Sequence, residues 1–432
     1  MAISLATIRQ REFQRLIDQQ QIYVDYTGGG QCPASVIDRY HALLLKTVFG
    51  NPHSNNPTSS YTTHLVEQTR QNILNYFNAG NDYDLIFTPN ATGALKIFGE
   101  SYPWTQQSAY ILSRDNHNSV MGIREYAKRA GTTIQYWDLT KELRLQDTLD
   151  TDLQRFKGKD IVLAFPAQSN FSGVMHPLSY VNQAHRYGAT VLLDAAAYVP
   201  SHSLDVQAVQ PDAMCLSFYK ILGFPTGIGG LIIRKSLLQR FRKAWFAGGT
   251  VRGVSLDNHV LEPNYTSYED GTINYTLIPA LQFVLDFIQQ LGGIRTIEEY
   301  VTALTAAALQ QLVELQHQGK VIIYGPHTMQ DHGATIAFNI LDKQGQPIYF
   351  EDVERAAFAQ KISLRAGCFC NPGAVTSAFH IDGLMMQRLL QTLHTQTRSQ
   401  AKVPGALRIS FGIANAPEDV DRVIAFISSF AR

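Results

Sequence analysis

TVLLDAAAY (190–198) and LSFYKILGFPTGIGG (216–230) decide how this chain is read. The first is an apolar run ending on a carboxylate, Asp194, and the second reaches a lysine, Lys220. Runs without a polar face mark strands of a parallel sheet covered on both sides. LIFT (85–88), AYILS (109–113), TIQYWDL (133–139), DIVLAF (160–165), TVLLDAA (190–196) and AMCLSFY (213–219) repeat the pattern. Amphipathic stretches such as SVMGIREYAKRAG (119–131) and LSYVNQAHRYGA (178–189) lie between them. The alternation predicts an α/β fold, and in such sheets ligands bind beyond the carboxyl ends of the strands. GIGGLIIRK (227–235) follows too soon for a crossover helix, so it is expected to run antiparallel.

From about residue 290 the pattern changes to a long helix, IRTIEEYVTALTAAALQQLVELQ, and then short strands and helices. The expected division is a large domain over 23–290 and a smaller α+β domain over 1–22 and 291–432. Ile8, Phe13, Leu16 and Ile17 are spaced for an amphipathic N-terminal helix. The 432 residues are 45% hydrophobic and 17% charged, with zero formal net charge. A balanced charge argues against nucleic acid or an anionic membrane as main partner. No secretory leader and no membrane span are read, and 4 cysteines in so long a chain do not make a disulfide framework. A cytoplasmic setting is expected.

The strand ends carry the chemistry. FTPNATGALKIFG (87–99) reads as strand, turn and helix, with small residues at Thr92-Gly93 leaving N–H groups for a phosphate. A carboxylate at Asp194 needs a cation or donors to sit there, a metal or a protonated ring nitrogen. No second ligand is spaced to complete a metal site. Lys220, enclosed by Phe218, Tyr219, Ile221, Leu222 and Phe224, has the desolvated setting of a Schiff-base lysine. A carboxylate for a pyridinium nitrogen and an amine for an aldehyde are what pyridoxal 5'-phosphate asks of a protein. Ser217 and Tyr219 flank the lysine and can donate to the phosphate.

Taken together, GNPHSNN (50–56), NATGALK (90–96), LSFYKILGFPTGIG (216–229), FAGGTV (246–251), YEDGTINY (268–275), RAGCFCNPGA (365–374) and LRISFGIAN (407–415) resemble a known family. It is the class V aminotransferase group of fold-type-I pyridoxal-phosphate enzymes, which includes the cysteine desulfurases. Within it the chain most resembles the desulfurase domain of molybdenum cofactor sulfurases. The resemblance implies a mostly parallel seven-stranded sheet and a homodimer. It implies Lys220 as the Schiff-base lysine, Asp194 as the pyridinium partner, and Thr92 and Ser217 as phosphate ligands. It implies His117 against the cofactor ring, Asn170 near the ring hydroxyl and Arg408 on the substrate carboxylate. Thr250 would reach the partner subunit's phosphate. Ala197 departs from the polar residue that ordinary desulfurases carry, and Val375 stands where sulfurases often have another cysteine.

RAGCFCNPG (365–373) holds the remaining question, two thiols one residue apart in a loop. By its place relative to Arg365-Ala366-Gly367, Cys370 matches the family's persulfide-forming cysteine. Arg365 is the basic neighbour that could favour a thiolate. Cys368 reads as a relay, a protector or a space-filler, and two ligands are too few for a structural zinc. Cys32 and Cys215 read as structural. The expected activity is conversion of L-cysteine to L-alanine, with sulfur passed to an acceptor protein or cofactor. The rivals are a C–S lyase, an aminotransferase or an epimerase on the same cofactor, or a scaffold without activity.

Overall fold

The computed structural model describes residues 5–397 and 400–430. Seven strands form one large sheet: β1 (Tyr83–Thr88), β2 (Ser108–Ser113), β3 (Thr133–Trp137), β4 (Asp160–Pro166), β5 (Thr190–Asp194), β6 (Ala213–Ser217) and β7 (Gly229–Arg234). Their order is β1-β7-β6-β5-β4-β2-β3. All neighbours are parallel except β7, which runs antiparallel to both β1 and β6. The expected return strand is therefore present, and it puts Lys220 on the short link between β6 and β7.

The apolar runs make strands because both faces are buried. In β4, Ile161, Leu163 and Phe165 point into one core, while Val162 and Ala164 point into another on the opposite face. Three runs stop earlier than their composition suggests. TIQYWDL ends its pairing at Trp137, TVLLDAA ends at Asp194, and AMCLSFY ends at Ser217, where Phe218–Leu222 turns into a short helix. At the last two the chain leaves the sheet at a polar side chain, Asp194 or Ser217. Four-residue and seven-residue helices, Asn118–Met121 and Ile123–Arg129, replace the single helix expected over 119–131.

Helix α1 (Ala91–Ser101) follows β1, and the long helix α2 (Ile294–His317) begins where the pattern changes. Beyond it lies an antiparallel sheet of β8 (Val321–Tyr324), β9 (Thr335–Ile340), β10 (Arg365–Gly367) and β11 (Ala406–Ser410), in the order β8-β9-β11-β10. The N-terminal segment joins this part: Ile22 and Tyr23 pair in parallel with Ile362 and Ser363. The N-terminal helix is broken at Phe13 into Leu5–Glu12 and Gln14–Asp18. Ile8, Phe13 and Leu16 are buried as expected, but the break turns Ile17 to solvent at 37% exposure. Residues 1–4 of that stretch lie outside the described residues. No described helix is long and apolar enough to cross a membrane.

A short clip ties the strand-end loop after β4 to the smaller sheet. Val174 bridges His332, Met175 N–H donates to Asp331, and Gly333 N–H donates to Gly173 at 2.8 Å. His332 is buried with Nδ1 unpartnered, and burial pushes its imidazole down to about 4. An unfolded histidine titrates near ~6.5. The unfolded chain therefore takes up a proton that the folded one refuses as pH falls from 6.5 to about 4. Folding stability should drop through that window by about 3 kcal/mol in all. Chemical denaturation at pH 7 and pH 4.5 should show this loss, and His332→Gln should flatten it.

Candidate active site

A cavity of about 200 Å³ opens at the carboxyl ends of β4, β5 and β6, the location expected for this sheet class. Its wall includes Thr92, His117, Gln168, Asn170, Asp194, Ala197, Ser217, Tyr219 and Lys220. Seven of the eleven residues singled out for the site thus meet in one place. Gly93, Thr250, Arg408 and Cys370 do not line it.

Asp194 is 8% exposed, and its carboxylate accepts on Oδ1 from Ala196 N–H at 3.0 Å and Cys215 Sγ at 3.4 Å. Lys220 Nζ makes no hydrogen bond to the described residues. Burial pushes its ammonium below the ordinary lysine value, Asp194 opposes this, and Arg408 adds to it. Cys215 is fully buried beside Asp194, and its thiol is pushed well up by burial. Cys32 is half-buried with a thiol pushed up to about 12 by burial, so neither is poised as a nucleophile.

The opening turn of α1 is more occupied than its small residues suggest. Asn90 caps the helix by accepting Gly93 N–H at 3.0 Å, and Ser217 Oγ accepts Ala91 N–H at 2.8 Å. Thr92 Oγ1 and Ser119 Oγ share a hydrogen bond of 2.8 Å. Ser119 N–H donates to His117 Nδ1 at 3.1 Å, which leaves the ring proton on Nε2. Burial pushes the His117 imidazole below its ordinary value, Lys220 and Arg408 push the same way, and Asp194 opposes. His117 is therefore neutral at pH 7. Thr250 is fully buried in its own loop, where its hydroxyl bonds both the N–H and the carbonyl of Ala247.

The two arginines of the smaller sheet face each other: Arg365 and Arg408 are register partners on β10 and β11. Asp25 stands between them, accepting from Arg365 Nε and from Arg408 Nη2 at 2.8 Å each. Arg365 is thus committed to Asp25. Gly28 permits this, since a Cβ there would come within 2.4 Å of Asp25 Oδ2. Arg408 is 2% exposed, donates from Nη1 to the Asn170 carbonyl at 2.8 Å, and leaves its Nε without an acceptor.

Asn170 joins the cavity to the thiol loop. Its Nδ2 donates to the Phe369 carbonyl at 2.7 Å, and its Oδ1 accepts from Asn371 Nδ2 at 2.9 Å. Asn118 N–H, next to His117, donates to the Cys370 carbonyl at 2.7 Å. Cys370 is exposed and Cys368 half-buried. Among the described residues no group of His, Cys, Asp or Glu could hold a metal ion. Asp25, Gln168, Asn371 and Phe369 were not found from sequence. Only Asn371, opening the NPG turn before a helix, left a local signal.

A sequence profile for the family described as Aminotransferase class-V matches residues 22–423. The molybdenum cofactor sulfurase of Homo sapiens is 33% identical over 98% of this chain and 51% of its own length. That of Arabidopsis thaliana is 30% identical over 99% of this chain and 58% of its own length. The chain thus spans about half the length of these relatives. The apo cysteine desulfurase of Thermococcus onnurineus NA1 superposes with a TM-score of 0.84 at 22% identity, over 100% of this chain and 98% of that one, which shows the shared fold. The chain belongs to the class-V aminotransferase family.

Competitive acetylation of the ligand-free protein should give Lys220 a titration midpoint below the 10.5 of an ordinary lysine. A normal midpoint at Lys220 would remove the desolvation argument.

Proposed function

We propose that this member of the class-V aminotransferase family is a pyridoxal 5'-phosphate-dependent cysteine desulfurase. The observation that carries the reading is a juxtaposition. Asp194 and Lys220 share one cavity, and a loop with two thiols is pinned to that cavity's rim by Asn170 and Asn118. The similarity to sulfurases and desulfurases supports it.

The donor set fits the cofactor. Asp194 offers a buried carboxylate to a ring nitrogen, and Lys220 offers an amine without a competing partner to an aldehyde. Thr92 and Ser217 bring hydroxyls to the start of α1 for a phosphate, and Tyr219, His117 and Asn170 complete the wall. When bound, the cofactor supplies an electron sink for bonds at the amino acid's α and β carbons.

The chain's own residues do the rest. With the cofactor bound, Asp194 would favour a protonated ring nitrogen, and Lys220 Nζ would hold the proton that leaves the substrate's Cα. Arg408 keeps its Nε–H without an acceptor and could turn it to the substrate carboxylate. Cys370 Sγ forms an S–S bond with the substrate sulfur as the C–S bond breaks. The balance is cysteine plus enzyme thiol giving alanine plus enzyme persulfide. An exposed Cys370 then hands its outer sulfur to an acceptor.

A homodimer belongs to the same reading. Immediately after Thr250, a hairpin of Val251–Val254 and His259–Leu261 exposes Val254, Leu256 and Val260, and Leu45 and Val48 are each 74% exposed. An apolar surface of this kind fits a second copy of the chain.

Cys370 does not line the cavity, and that observation would favour a C–S lyase. Products separate the two: alanine with protein-bound persulfide for the desulfurase, pyruvate and ammonia for the lyase. Cys370→Ser should retain cofactor absorbance and lose alanine output, because a hydroxyl at neutral pH is a far weaker nucleophile than a thiolate. Alanine at the parent rate from that variant would refute the assignment.

Asp194→Asn tests the other half of the site. Losing a charge-assisted hydrogen bond is worth about 1.5–3 kcal/mol. Turnover should therefore fall roughly 10- to 150-fold. Thermal unfolding should change much less, since the amide fills the same space.

A further inference from the structure

The 365–373 loop is built more tightly than a tether for a thiol requires. Phe369 and Cys370 lie at φ of 54° and 56°. Two consecutive non-glycine residues in the left-handed region persist only where their surroundings over-determine them. The surroundings here are explicit. The Phe369 ring is 8% exposed, its centroid 4.7 Å from the Arg408 guanidinium carbon and 5.4 Å from the Phe171 ring. The Phe369 and Cys370 carbonyls are taken by Asn170 and Asn118, both at 2.7 Å. Asn371 Nδ2 donates to the Asp115 carbonyl at 2.7 Å, and its Oδ1 caps the helix Pro372–Ala378 through Ala374 N–H at 3.1 Å. Gly373 lies so close to Arg114 that a Cβ would come within 1.8 Å of its carbonyl oxygen.

Of the three residues Cys368-Phe369-Cys370, the middle one is buried and the last thiol is exposed. The ring is seated on the same guanidinium whose Nε has no acceptor. We propose that Phe369 is the positioning residue of the thiol loop: clamped between Arg408 and Phe171, it holds Cys370 against the cavity rim. The thiol then acts from a docked loop, and the loop and Arg408 share one contact. The proposal rests on the reading of Cys370 as nucleophile. A desolvated cation–π contact of this kind is worth about tenfold or more in the docked population.

The test compares the cofactor-loaded parent with Phe369→Ala, Phe369→Leu and Phe369→Tyr. Hydrogen exchange by mass spectrometry should show the 365–373 peptide exchanging about tenfold faster in Phe369→Ala, with the large sheet unchanged. Single-turnover persulfide formation on Cys370 should slow by a similar factor. Cofactor absorbance should not change, and Phe369→Tyr should restore both rates. If Phe369→Ala does not fold, Phe369→Leu, which keeps an apolar side chain but no ring, supplies the comparison. Unchanged loop protection overturns the proposal, as does a loosened loop with persulfide formed at the parent rate. A parent that makes no persulfide at all overturns the desulfurase reading instead, and the exchange data still decide whether Phe369 docks the loop.

Discussion

Asp25 is the interaction on which the smaller sheet and the rim of the site depend. Two arginines directly opposite on neighbouring antiparallel strands repel, and one of them, Arg408, is almost wholly buried. A single carboxylate from the N-terminal segment satisfies both. Removing it would leave a buried cation uncompensated, a loss of about 3–5 kcal/mol. The pairing of Ile22 and Tyr23 with Ile362 and Ser363 therefore has an electrostatic purpose: it carries the N-terminus to the place where Asp25 is required.

The same contact orders the elements around it. Arg408, held by Asp25 on one side, donates to the Asn170 carbonyl on the other, and Asn170 reaches both Phe369 and Asn371. The chain of contacts runs from the N-terminal segment through the smaller sheet to the cavity and the thiol loop. Asp194 ends β5 and Lys220 follows β6 on a short helix, so the large sheet sets both.

The strand ends were legible because periodicity and burial report the same thing: β4, β5 and β6 are apolar on both faces, and β5 and β6 stop at Asp194 and Ser217. The return strand β7 was legible from the shortness of its connection. What composition could not show was where pairing stops: Phe218 and Tyr219 are good strand formers, but they turn into a helix that places Lys220 at the cavity. Ile17 followed a helical spacing that the break at Phe13 cancels. Asp25 was invisible, because its meaning lies in two arginines far along the chain. Arg365 was read as a neighbour of the thiols, and the structure commits it to Asp25.

The separation between partners also bears on how the molecule comes together. Asp194 ends one strand and Lys220 follows the next, so their half of the site closes a short loop. Asp25 and Arg408 are 383 residues apart, a contact that waits for almost the whole chain. Contacts of long sequence separation carry the larger closure entropy and form late. During synthesis the half with the carboxylate and amine is thus available well before the half with the two arginines. A nascent chain would pass through a stage in which Asp194 and Lys220 are in place while Asp25 still lacks its arginine partners.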